Sequence, residues 1–134
     1  MIFICLIFLF FAIGAFILNS ERKQSPKRKI YISGPMTGYA YNNFFSFDDA
    51  EKRILNEIKN INIVNPCDLS NKTESIIDNP SYEDYLREDF RALIDCDAVL
   101  LLDGWKESSG CNKEFTVANY LKIPCFETFE ELKK

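Results

Sequence analysis

The sequence predicts an α/β fold, a doubly wound parallel sheet of four to five strands with helices on both faces, preceded by an N-terminal transmembrane helix. Two observations predict the sheet. From residue 29 onward, short β-branched runs alternate with longer helical ones, the order of βαβ units. The most apolar of the short runs, Ala98 to Leu102, has no polar face, as a central parallel strand buried on both sides requires. A third observation predicts the membrane helix: Met1 to Leu18 contains no polar side chain, and 18 residues at 1.5 Å each reach roughly the hydrocarbon thickness of a bilayer.

A cleaved signal peptide is the competing reading of Met1 to Leu18. Against it stand the lack of a basic residue ahead of the apolar run and of a small-x-small site at its end. Residues 19–28 read as a basic linker. Arg22, Lys23, Lys27, Arg28 and Lys29 face a single acid, Glu21, and the positive-inside bias then predicts a single-pass, membrane-anchored chain with residues 29–134 as a cytoplasmic domain.

Within that domain Lys29 to Ser33 is the first strand. It runs into the glycine-bounded turn Gly34-Pro35-Met36-Thr37-Gly38, then a helix from about Phe44 to Lys59 with Phe47, Ala50, Ile54 and Ile58 on one face. Ile61 to Val64 is the second strand, stopped by Asn65-Pro66. The polar stretch from there through Pro80 reads as a surface loop. Ser81, with Asp84 at capping-box distance, opens a helix to about Asp95 that feeds the strand Ala98 to Leu102. A loop from Asp103 to Gly110, a helix from Cys111 to Leu121, a short strand over 123–126 and a polar tail helix complete the chain. This is the flavodoxin- or Rossmann-like order, whose ligand sites lie beyond the carboxyl ends of the strands, here the loops 33–39, 65–68 and 103–110.

Composition narrows the chemistry. The chain has 16 basic and 20 acidic residues; setting aside the five bases and one acid named above leaves 11 against 19 in residues 30–134, a net charge of −8. A domain so acidic is a poor partner for a nucleic-acid polymer, although backbone N–H groups can still hold a single nucleotide. The five cysteines, at positions 5, 67, 96, 111 and 125, form no CxxC pair, so neither a zinc site nor a disulfide framework is expected, and no metal or cofactor is predicted. With no histidine in the chain, acid–base work falls to carboxylates, tyrosine, cysteine or lysine.

Two carboxylates stand on apolar faces. At roughly 100° per residue, Cys111, Phe115, Ala118 and Leu121 share one face of their helix and Glu114 falls inside it. Asp89 likewise falls within the stripe Tyr82, Leu86, Ala92 and Leu93. A glutamate in a first turn also suits the helix dipole, and an inward aspartate can pair with Arg87 or Arg91, so each has a purely structural reading. Two inward carboxylates beside ligand loops also match the way acid and base roles divide between paired acids. Tyr31, on the first strand, needs a hydrogen-bond partner if buried.

Taken in order, Y-I-S-G-P-M-T-G at 31–38, N-F at 43–44, V-N-P at 64–66, the Asp89 helix, C-D-A-V-L-L-L at 96–102, G-W-x-x-S-x-G at 104–110 and Glu114 with Ala118 resemble the small, DUF4406-type branch of the nucleoside 2-deoxyribosyltransferase superfamily. The resemblance spans 29–126. It implies that Glu114 is a nucleophile attacking C1′ of a 2-deoxyribonucleoside with net retention, that Tyr31 restrains it, and that Asp89 assists as orienter or proton donor. It also implies a substrate site built from Ser33, Gly34, Pro35, Met36, Thr37, Asn43, Asn65, Pro66, Trp105, Ser108 and Gly110, and a homodimer.

Six residues before Glu114, deoxyribosyltransferases carry an aspartate that serves a free 5′-hydroxyl, whereas the related 2′-deoxynucleoside 5′-phosphate N-hydrolases carry a phosphate-binding serine. Here it is Ser108. A carboxylate repels a phosphate and a hydroxyl donates to it, so the resemblance points to N-glycosidic hydrolysis or deoxyribosyl transfer on nucleoside 5′-monophosphates. The first glycine turn has no arginine, which leaves Thr37 and backbone amides as its phosphate ligands. Two alternatives stand beside this expectation: a membrane-tethered nucleotide-binding or sensor module without turnover, and release of nicotinamide from a dinucleotide.

Overall fold

The computed structural model describes residues 27–134. Strand β1 (Arg28–Ser33) leads through a 3-10 turn (Ala40–Asn43) into helix α1 (Phe44–Glu57), and β2 (Ile61–Val64) into α2 (Pro66–Ile76) and α3 (Tyr82–Leu93). Strand β3 (Ala98–Leu101) is followed by a second 3-10 turn (Trp105–Glu107) and α4 (Ser109–Tyr120), and β4 (Cys125–Phe126) by α5 (Phe129–Lys133). The four strands form one sheet in the order β2-β1-β3-β4, every pair parallel. Ile30 lies opposite Ala98 and Ile63, and Tyr31 opposite Val99 and Val64.

The alternation of β1 sorts its side chains to two faces. Ile30 and Ile32 enter a core with Phe47 and Ile54 of α1, Ala98 and Leu100 of β3, and Phe129 and Leu132 of α5. Tyr31 enters the other, with Val99 and Leu101, Leu93 of α3, and Cys111 and Ala118 of α4. Helices therefore cover both faces, as the sequence predicts. Ser81 caps α3 through a full capping box with Asp84.

Two expectations are corrected. The fold class set a transmembrane helix before the sheet; the described fold is a four-stranded parallel α/β sheet in which no helix is long and apolar enough to cross a membrane. The longest, α1, has 14 residues, about 21 Å at the helical rise and short of a bilayer core, and it carries Asp48, Asp49, Glu51, Lys52 and Arg53. Met1 to Leu18, on which that expectation rested, lies outside the described residues.

The second correction concerns the stretch after β2, expected as a loop. It is helical over Pro66–Ile76: the Asn65 side chain accepts the Cys67 N–H at 3.0 Å as N-cap, Pro66 takes the first helical position, and Cys67 and Thr73 are buried.

Candidate active site

Between β1 and β3 the order of the sheet reverses: the chain leaves β1 toward β2 and then crosses to β3 on the other side. Such a switch point opens a crevice beyond the carboxyl ends of the two strands, because their connections depart in opposite directions. The loop after β1 and the cap of α4 meet there.

Two residues apart on β1, Tyr31 and Ser33 point to the same face. Both reach Glu114 in the first half of α4: the Tyr31 hydroxyl donates to Oε1 at 2.7 Å and the Ser33 hydroxyl to Oε2 at 2.5 Å. Glu114 is 6% exposed, and Tyr31 and Ser33 are fully buried. Burial pushes the Glu114 carboxyl up from its ordinary range, while the hydroxyls of Ser33 and Tyr31 work against that shift by donating to the anion. Burial, then the charge of Glu114, raises the Tyr31 phenol well above its usual value, so it stays a donor.

Glu114 forms part of the wall of a cavity of about 270 Å³ that also takes in Asp89, Gly34, Met36, Thr37, Pro66, Ser108 and Gly110. Asp89 accepts no hydrogen bond from the described residues. Arg87 pairs with Asp84 at 3.2 Å and Arg91 with Glu88, so neither neighbouring arginine neutralises it. Burial first, and the charge of Glu114 second, push Asp89 up to about 7. The cavity thus holds two carboxylates in different environments: Glu114, more deeply buried but with two hydroxyl donors opposing the rise that burial imposes, and Asp89, which has no such donor among the described residues and is favoured as an acid.

Gly34 is the hinge of this arrangement. A Cβ there would lie 2.8 Å from Leu102 Cδ1 and 3.0 Å from Phe47 Cζ, so any larger residue would have to displace these core side chains where the loop leaves β1. Ser108, also in the wall, caps α4, its oxygen accepting the Cys111 N–H at 3.3 Å, and an adjoining depression of about 530 Å³ continues past it along Pro35, Thr37, Ser109 and Gly110.

Three of the residues expected to bind substrate hold the site up from outside the cavity. Asn43 donates to the Pro35 carbonyl at 2.9 Å and so braces the first loop. Asn65 caps α2 and donates to Glu51 at 2.7 Å. Trp105 is buried in the core against Phe115, with ring centroids 4.7 Å apart. Ser33 lies beneath the cavity, on the carboxylate.

Sequence reasoning missed the α2 wall, Ser70 and Glu74, together with Tyr85 and Cys111. The signal for α2 was the Asn65 cap with Pro66 behind it. Among the described residues no group of three or more Cys, Asp or Glu is placed to hold a metal ion.

Compared with known families, residues 28–126 match the model of DUF4406, a domain of unknown function. No curated protein gives a significant match.

Proposed function

The chain belongs to the DUF4406 family, and from its site we propose that it cleaves the N-glycosidic bond of 2′-deoxynucleoside 5′-monophosphates through a covalent intermediate on Glu114. The observation that carries this reading is the pairing of Glu114, held from behind by Tyr31 and Ser33, with a protonatable Asp89 in one cavity. The motif resemblance to nucleoside 2-deoxyribosyltransferases supplies the reaction class.

The chemistry follows from the two carboxylates. A Glu114 oxygen attacks C1′ as the C1′–N bond breaks, and the bonding pair leaves on the base, which takes the Asp89 proton. The transition state is oxocarbenium-like, and the acidic floor of the cavity favours its positive charge. Water then attacks C1′ from the face the base has left as the C1′–O bond to Glu114 breaks and its pair returns to the carboxylate, Asp89 accepts the water proton, and 2-deoxyribose 5-phosphate departs with net retention. A second base in place of water makes the same enzyme a transferase. The Ser108 oxygen accepts the Cys111 N–H, leaving its own proton to donate to a phosphate at the start of α4.

Base release from a panel of deoxynucleoside monophosphates and free deoxynucleosides, resolved by chromatography, tests the proposal on the full chain and its Glu114→Ala variant. Release from monophosphates by the wild type alone is the expected result. Equal background in both chains sinks the catalytic reading.

A second reading, a nucleotide-binding module without turnover, draws on the same hydrogen bonds. Each Glu114 oxygen already accepts a hydroxyl, which lowers its nucleophilicity as it stabilises the anion. That reading predicts thermal stabilisation by nucleotides that persists in Glu114→Gln.

A further inference from the structure

Resting on the nucleotide reading of the cavity, we infer that Glu74, presented by Tyr85, selects the base, admitting rings that carry an exocyclic amino group over thymine and uracil. The cavity has two ends. At one, Ser108 and Gly110 open onto the adjoining depression, whose walls include no residue of α2. At the other stand Ser70 and Glu74 of α2 with Tyr85 and Leu86 of α3. With C1′ at Glu114 and the 5′ side at Ser108, the base falls between α2 and α3.

The chemistry of that end is one-sided. Tyr85 donates its hydroxyl to Glu74 Oε1 at 3.0 Å, which uses the only proton the pair has and turns both residues toward the ring as acceptors. Glu74 Oε2 accepts nothing from the described residues, and no described cation pairs with Glu74. Amino groups of adenine, cytosine and guanine donate to such a wall. Thymine and uracil offer their ring N–H only between two carbonyls, which a carboxylate repels; Glu74 is exposed at the rim of the cavity, so the pair discriminates by attracting one ring edge and repelling the other. Pro66 and Leu86, in the same wall, give the ring apolar surface to lie on.

Calorimetric titration of the full-length Glu114→Gln chain with dAMP, dCMP, dGMP, dTMP and dUMP tests this, with base release from the wild type measured alongside. The amino-bearing nucleotides are expected to bind at least about tenfold tighter than dTMP and dUMP. Adding Glu74→Gln, whose amide also donates, should shrink or reverse that preference, and Tyr85→Phe should weaken it with Tm unchanged. Equal affinities for all five overturn base selection and leave the glycosidase reading intact. A preference that survives Glu74→Gln also overturns it. Selective binding without base release by the wild type upholds the selection and removes the glycosidase reading alone; no binding of any nucleotide overturns both.

Discussion

Ser33 Oγ donates to Glu114 Oε2 at 2.5 Å, joining the last residue of β1 to the helix that follows β3. With Tyr31 on the other oxygen, the strand grips the carboxylate along its full width. A carboxylate so held is oriented, because each hydroxyl fixes an oxygen, and both hydroxyls favour the anion against the burial that raises its pKa.

Removing either hydroxyl should therefore change both rate and pH dependence. Tyr31→Phe and Ser33→Ala are each expected to lower kcat about 10- to 100-fold, the range of one hydrogen bond to a charged group. The acidic limb of the pH–rate profile should move upward in both, since Glu114 loses a donor that favours its ionised form. Measured profiles that keep the limb in place would assign the hydroxyls to packing alone.

Asp89 makes a prediction about stability. Its carboxyl titrates near 7 in the fold against about 4 in the unfolded chain. Between those values the folded state binds the extra proton, so stability falls as pH rises from about 4 to about 7 and stays low above. Asp89→Asn should flatten this slope and raise Tm at pH 8, while base release drops for want of the proton donor. Thermal melts from pH 4 to 8 read the first effect directly.

Ser108→Asp separates phosphate from free hydroxyl. Aspartate caps a helix as well as serine does, so Tm should hold. Its charge opposes a phosphate at the same place, and KM for monophosphates should rise at least about tenfold while free nucleosides gain or keep their rate. A parallel loss on both substrates would place the phosphate elsewhere.

Gly34→Ala should destabilise the fold by about 1–3 kcal/mol, because the added methyl meets Leu102 and Phe47 within 3.0 Å. Denaturant unfolding measures it. An unchanged midpoint would mean that the loop after β1 yields.

The sheet and the two central carboxylates were legible from periodicity. The helical wheel turns Glu114 and Asp89 inward, whereas the meeting of Tyr31 and Ser33 on one carboxylate is a contact between β1 and α4 that periodicity does not carry. The α2 wall was not legible, since its apolar residues are few and Asn65-Pro66 reads as a strand stop as readily as a cap with proline at the first helical position. Asn43, Asn65 and Trp105 share motifs with residues that line the cavity, and their bracing contacts are not visible in those motifs. The difference lies in partners distant in sequence, such as Glu51 for Asn65, which a one-dimensional pattern does not contain.

In the proposed reaction Glu114 becomes covalently bonded to the sugar. Intact-mass and peptide analysis of the wild-type chain, quenched during turnover of a 2′-fluorinated arabinonucleoside 5′-monophosphate that slows the second step, tests it most directly. A sugar-phosphate adduct on the peptide containing Glu114, absent in Glu114→Gln, is the predicted result. Base release with no adduct and an inverted anomer would contradict it, making Glu114 a base for water.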